Sequence, residues 1–171
     1  MSKTRIINLN GTIDEINAIN VIVKLLDLDS ESHEEPIQIY INSNGGSIVH
    51  GLAIYDTMKH IQAPVYTTCT GLCASMGAFL LSCGEKGHRA ALKHSRILIH
   101  QPLISSRAGM MEKESELRKI AHDLQKRRES LEKIMAENSG QTIKRLHEDC
   151  ERDNWMSAEE ALAYGLIDEI I

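Results

Sequence analysis

The stretch Val65-Tyr-Thr-Thr-Cys-Thr-Gly71-Leu-Cys-Ala-Ser75-Met-Gly77-Ala-Phe-Leu-Leu81-Ser-Cys83 decides the fold class. Pro64 precedes it, and Val65 to Cys69 reads as a strand. Gly71 then breaks the chain. From Ser75 to Cys83 every residue is small or apolar, the pattern of a helix buried on all sides. Gly84 and Gly87 end it. A strand that feeds directly into a buried helix is the unit from which parallel α/β sheets are built.

The same order recurs on either side. Arg5 to Leu9 is a short strand ended by Asn10-Gly11. Thr12 or Asp14 caps the helix that follows, on which Ile13, Ile16, Ile19, Val23 and Leu26 recur at helical spacing. Asp27 to Pro36 is polar and acidic, a solvated loop. Ile37 to Ile41 alternates as a strand does, and Asn42-Ser-Asn-Gly45-Gly46-Ser47 is the strongest turn signal in the chain. A helix from about Ile48 to Ile61 carries Ile48, Leu52, Tyr55 and Met58 on one face. Arg89 to Leu92 and Arg96 to Ile99 read as two more strands. The prediction is an α/β fold with a largely parallel sheet, and one domain over residues 1–171 with no internal repeat or linker.

Met110 to Asn138 differs from the rest. It is long and charged and has no Pro or Gly inside. Leu117, Ile120, Leu124, Leu131 and Ile134 form a narrow stripe at near-heptad spacing. Glu114 with Arg118, and Glu129 with Lys133, are supportive pairs four residues apart. The plain alternative is a surface helix lying on its own domain. Its length favours a helix that projects and packs on another copy of the chain. Ser139-Gly140 starts a short helix to about Glu148. Ser157-Ala-Glu-Glu160 is a capping box that opens a last helix, ended by Gly165.

Composition narrows the function. The chain has 171 residues, 42% hydrophobic and 25% charged, and its formal net charge is −5. It lacks the basic field of a nucleic-acid binder. The longest apolar runs, such as Ala78 to Leu81, fall far short of the ~20 residues of a membrane span. The N-terminus has no apolar signal-peptide core, so a cytoplasmic protein is expected. Cys69, Cys73, Cys83 and Cys150 read as reduced core residues, and their spacing fits no familiar zinc pattern, so no metal is expected.

Four elements carry chemistry. Ser75 follows a strand, opens a helix and has small neighbours, as a nucleophile approached closely by a carbonyl requires. Taken alone, the segment is better explained by a helix-capping serine beside packed glycines. Gly45-Gly46 stands at the carboxyl end of a strand, where ligands bind in α/β sheets. Its backbone N–H groups can serve an oxyanion, and an ordinary Asn-Gly turn explains the dipeptide equally well. His100 is one of eight histidines and differs in standing at the mouth of the Ile97–Ile99 strand, where a base can reach a nucleophile. A partly buried structural histidine is the other reading. Asp149 lies in His147-Glu-Asp-Cys-Glu-Arg-Asp153, by default a solvated helix end.

Together these pieces resemble the proteolytic subunit of the Clp protease, the ClpP family of self-compartmentalising serine peptidases. The family's G-x-x-A-S-M-G-A-F-L-L is Gly71 to Leu81, and its S-R-x-x-I-H-Q-P is Ser95 to Pro102. Its Y-I-N-S-x-G-G is Tyr40 to Gly46, and its D-x-E-R-D region, ending in S-A, runs from Asp149 to Ala158. The resemblance spans about Thr4 to Ile171. It implies the ClpP/crotonase-type fold, with Met110–Asn138 as the handle helix between rings. It implies Ser75 as nucleophile, His100 as general base and Asp149 as the residue that orients the histidine. The N–H groups of Gly46 and Met76 match the oxyanion hole. It further implies peptide and unfolded-protein substrates and a homo-oligomer of two heptameric rings. No cofactor is implied in this chain, since ATP is used only by a separate AAA+ Clp ATPase.

Some positions depart from the family pattern. Asn44 stands where proline is usual, and Leu103-Ile-Ser-Ser-Arg107 replaces a stretch that usually holds a glycine pair. Glu148 stands where a basic residue is common. The pore-lining N-terminal segment is expected to be missing, since Arg5 already belongs to the first strand. Two alternatives remain: a partner subunit of a mixed ring with a paralogue, mainly serving assembly, and a crotonase-like acyl-CoA hydratase or isomerase. The co-occurrence of Ser75, His100 and Asp149 disfavours the second.

Overall fold

The computed structural model describes residues 4–103 and 113–171. In chain order the elements are β1 (Ile6–Ile13), α1 (Glu15–Glu31), β2 (Ile37–Gly46), α2 (Ile48–His60), β3 (Val65–Ala74) and α3 (Met76–Ser82). Then follow β4 (Arg89–Ala91), β5 (Arg96–Ile99), α4 (Glu114–Ser139), α5 (Ile143–Asp149), β6 (Asn154–Ser157), α6 (Ala158–Tyr164) and β7 (Glu169–Ile170). The sheet runs β1-β2-β3-β4-β7, all parallel, while β5 pairs with β3 and, antiparallel, with β6. The expected α/β class with a parallel-dominated sheet is present.

Strand β3 changes neighbour half-way. Thr67 to Cys69 lie beside Arg89 to Ala91, and Leu72 to Ala74 lie beside Arg96 to Leu98. The fork falls at Gly71, whose φ of +154° is open to glycine and strained for other residues. On the other side, the β2–β3 register shifts between Ile41 and Ser43. The Asn42 side chain fills the gap, accepting the Leu72 N–H at 3.1 Å. Gly71 therefore kinks a strand that continues to Ala74. Likewise Asn42 to Gly46, expected as a turn, extends β2, with Gly45 and Gly46 opposite Thr12 and Ile13. Turn-forming residues remain in the sheet here because bulges absorb their irregular backbone.

Elsewhere the structure resolves one expectation and changes others. Asp14, not Thr12, caps α1, its carboxylate accepting the Asn17 N–H at 2.9 Å. Helix α1 buries Ala18, Val21, Leu25 and Leu28, whereas Ile16, Ile19, Val23 and Leu26 point outward. Apart from Ile13, which belongs to β1 and is buried, the apolar residues that recur at helical spacing lie on the outer face. The helix also continues through the acidic run to Glu31, and Asp29 caps the far loop by accepting the N–H groups of Gln62 and Ala63. Strands β6 and β7 were not anticipated; at four and two residues they are too short to show alternation. The capping box at Ser157 and Glu160 is formed, as expected.

The core is aliphatic, with Phe79 the largest fully buried side chain among the described residues. One cluster of charge is built into it. Arg89 is 3% exposed and donates to both carboxylate oxygens of Asp168, at 2.8 and 2.6 Å. Its remaining nitrogen donates to the Asn138 carbonyl at 2.9 Å and so pins the end of α4. Helix α4 lies on the domain only in its second half, where Leu131, Met135 and Ala136 are buried. Leu117 and Ile120 are exposed in the single chain, and Leu124 is half-buried. The expected beginning of this helix at Met110, and Ile104 to Arg107, lie outside the described residues.

Candidate active site

Ser75 is the hinge between β3 and α3. Its φ of 56° and ψ of −121° make it the one non-glycine residue with positive φ among the described residues. Such a conformation costs about 1–3 kcal/mol and persists only where its surroundings impose it. Here the Ser75 N–H is held by the Leu98 carbonyl at 2.9 Å, and the Ser75 carbonyl accepts the Phe79 N–H at 3.0 Å. The hydroxyl makes no helix-capping hydrogen bond, unlike Ser47, Thr142 and Ser157 at their own helix starts. A serine placed for capping would use its oxygen this way. Ser75 instead spends backbone strain while leaving Oγ clear of the helix.

Close packing explains the small residues around it. A Cβ on Gly45 would lie 2.7 Å from both the Ala74 carbonyl and the Ser75 Cβ, and 3.1 Å from the Met76 nitrogen. One on Gly77 would lie 3.1 Å from the Ser43 carbonyl. The Gly45-Gly46 segment therefore runs against the Ser75-Met76 backbone. Buried Ser43 fixes it, with Oγ donating to the Gly11 carbonyl at 2.5 Å and accepting the Gly45 N–H at 3.0 Å.

His100 stands at the end of β5, the neighbour of the last residues of β3. Its side chain is 12% exposed and lines the same cavity as Ser75. The walls are mainly apolar, with Ile48, Met76, Phe79 and Met135 among them; Arg128 and Glu132 add charge at one side. Nδ1 of His100 is 3.9 Å from Oδ1 of Asp153. Asp149 ends α5 and faces elsewhere. Its Oδ2 accepts the Tyr164 hydroxyl at 2.8 Å and the Arg145 Nε at 3.4 Å, and the Arg145 guanidinium lies 5.2 Å from the centre of the Tyr164 ring. Burial and the Asp149 carboxylate together push the Tyr164 phenol well above its ordinary range. Ser75, His100, Met76 and Gly46 are thus gathered round the β3–α3 turn and the groove beside it, while Asp149 is turned toward Tyr164.

Several neighbours escaped the sequence reading. Cys150 lines the cavity, and burial pushes its thiol up to about 12, which keeps it protonated. Arg128 and Glu132 line it too, on helix positions that look like any charged surface pair. Asp153, by contrast, was already the second candidate in the sequence for the acid that orients the histidine. Only the four-residue spacing of Arg128 and Glu132 hinted that they pair.

The fold is thus α/β, and an uncapped, strained serine at a strand-to-helix turn shares a cavity with a histidine at the end of the neighbouring strand β5. Residues 1–171 match the sequence model of the family described as Clp protease. The chain belongs to that family and is a proteolytic subunit of the ClpP type. No helix among the described residues is long and apolar enough to cross a membrane.

Proposed function

We propose that this subunit is a serine endopeptidase in which Ser75 is the nucleophile and His100 the general base. The observation that carries the reading is the strained Ser75, its hydroxyl unused for capping, in one cavity with His100. Ser75 Oγ attacks the peptide carbonyl carbon as His100 takes the hydroxyl proton. The carbonyl oxygen becomes an oxyanion held by the backbone N–H groups of Gly46 and Met76, and each such donor is worth about 3 kcal/mol. His100 then protonates the leaving amine as the C–N bond breaks. Water, deprotonated by the same histidine, releases the acyl group.

Asp149 completes the triad by holding the proton-bearing Nδ1 of His100. To do so it exchanges the Tyr164 hydroxyl for the imidazole through a shift of the turn after α5. A second reading is favoured by one distance: Asp153 Oδ1 already lies 3.9 Å from His100 Nδ1. Asp149→Asn and Asp153→Asn separate the two. The orienting acid loses on the order of 10⁴-fold in kcat, and the other variant stays near wild type.

The subunit acts inside an assembly of two heptameric rings, built from this chain alone or with a paralogue. It cleaves peptides directly and unfolded proteins delivered by an AAA+ Clp ATPase. The exposed Leu117 and Ile120 on α4 support contact with another copy. The reaction as written needs no cofactor in this chain, and a cytoplasmic location suits the reduced thiols. A fluorophosphonate tests the central assignment. It is expected to label wild type at Ser75 and not Ser75→Ala, and peptide turnover by Ser75→Ala at the wild-type rate would overturn it. Assembled protein is required for the test.

A further inference from the structure

We propose that Arg128 is a positioning residue for the catalytic base, acting on His100 through Gln101. This rests on the serine-peptidase reading above. Arg128 lies on α4 with its side chain 15% exposed, and its guanidinium meets four acceptors. Nε donates to Glu132 Oε1 at 2.6 Å. Nη1 donates to Gln101 Oε1 at 3.2 Å, and Nη2 donates to the His147 carbonyl at 3.1 Å and to Glu151 Oε1 at 2.8 Å. One side chain thereby joins three segments: the long helix, the residue after His100, and the two flanks of Asp149.

Gln101 transmits the hold. Its backbone N–H donates to the Cys150 carbonyl at 2.6 Å and its Nε2 to the Glu151 carbonyl at 2.8 Å. With Arg128 on Oε1, both ends of its amide are engaged. His100 is one peptide bond away, so these contacts tether the backbone at the histidine to the 149–153 turn and limit how far the two can part. That turn carries both acids able to face the imidazole. Arg128 in turn is aimed by buried Glu132, whose second oxygen faces His147 Nδ1 at 3.1 Å. Glu132 is therefore saturated by its neighbours and orients the arginine. Burial alone would lower the arginine's pKa, but its hydrogen bonds to the Glu132 and Glu151 carboxylates raise it above the ordinary range, so its charge is permanent. A lysine cannot replace it, since a point charge does not span four acceptors in a planar fork.

The experiment is steady-state peptide hydrolysis by the assembled full chain, with the rate of labelling by a small fluorophosphonate that fills no side-chain pocket. Arg128→Ala is expected to lose on the order of 10²-fold in kcat, the scale of a small misplacement of a catalytic group. KM should be little changed, and labelling should slow in parallel. Arg128→Lys should resemble Arg128→Ala. Added guanidinium should restore part of the Arg128→Ala rate where sodium chloride at equal concentration does not. Gln101→Ala, which leaves the Arg128–Glu132 pair in place, should lower kcat without guanidinium rescue. The double variant should be no worse than Arg128→Ala. Wild-type kcat in either single variant, a change confined to KM, or additive losses would overturn the proposal. If Arg128→Ala does not fold, Gln101→Ala decides alone. Absence of labelling in wild type would instead count against the serine-peptidase reading itself.

Discussion

The Tyr164 hydroxyl donates a 2.8 Å hydrogen bond to Asp149 Oδ2. A hydrogen bond to a charged group contributes about 1.5–3 kcal/mol. If Asp149 serves His100, this bond competes with that service. Tyr164→Phe should therefore raise kcat for peptides several-fold, with the Arg145 contact at 3.4 Å still steadying the acid. Steady-state kinetics decide it, and a fall in kcat would mean that Tyr164 supports the productive position.

Gly45 is confined directly against Ser75. Its φ is +89°, and an added Cβ would sit 2.7 Å from the Ser75 Cβ. Gly45→Ala must displace the Ser75 turn or its own loop. A loss of about 1–3 kcal/mol of stability is expected, together with much slower fluorophosphonate labelling. Thermal melts and labelling rates are the readouts; unchanged labelling would show that the turn accommodates the methyl group.

The Arg89–Asp168 pair sets an acid limit on stability. Burial alone would raise the Asp168 pKa, but hydrogen bonds and charge from Arg89 outweigh it and lower the pKa below its ordinary 3.8. With the folded value below the unfolded one, the contribution is fully present above the unfolded pKa. It is lost as pH falls through the folded value. Asp168→Asn should cost about 3–5 kcal/mol near neutral pH, because it strands a buried guanidinium. Its deficit should shrink below pH ~4. Denaturant melts across pH test this, and a constant deficit would refute the linkage.

The outer half of α4 tests assembly. Leu117 is 53% exposed in the single chain, whereas Leu124 borders the groove beside Gly46. Leu117→Lys should leave the fold intact and reduce the assembled mass by light scattering. An unchanged mass would leave the Leu117 face outside any contact between copies.

The strand-helix order was legible because Val65–Cys69 and Ile37–Ile41 are buried strands with plain periodicity, and because Ser157 and Glu160 spell out a cap. The outward face of α1 was not. Its apolar residues lie on two faces, and spacing alone cannot say which one meets the sheet. Nor could Gly71 and Asn42 be read as parts of strands, since the bulge that keeps them there depends on a side chain from the neighbouring strand. At the site, the placement of Ser75 at a strand-to-helix turn and of His100 at a strand end was legible. The direction in which Asp149 points was not, because it depends on Tyr164, fifteen residues on. Arg128 was hidden for a similar reason: its four acceptors come from three segments of the chain.

The fork in β3 bears on how Ser75 moves. Both branches of the sheet hang on this one strand, so Val65 to Ala74 can separate from its neighbours only if the whole sheet opens. Amide hydrogens that exchange only through global opening report the full unfolding free energy. Those of Thr67, Cys69 and Cys73 should be among the slowest to exchange in the chain, far slower than those of the outer turns of α4. The serine is then mounted on the part of the protein that opens last, and motions that adjust the site belong to the α5–β6 turn.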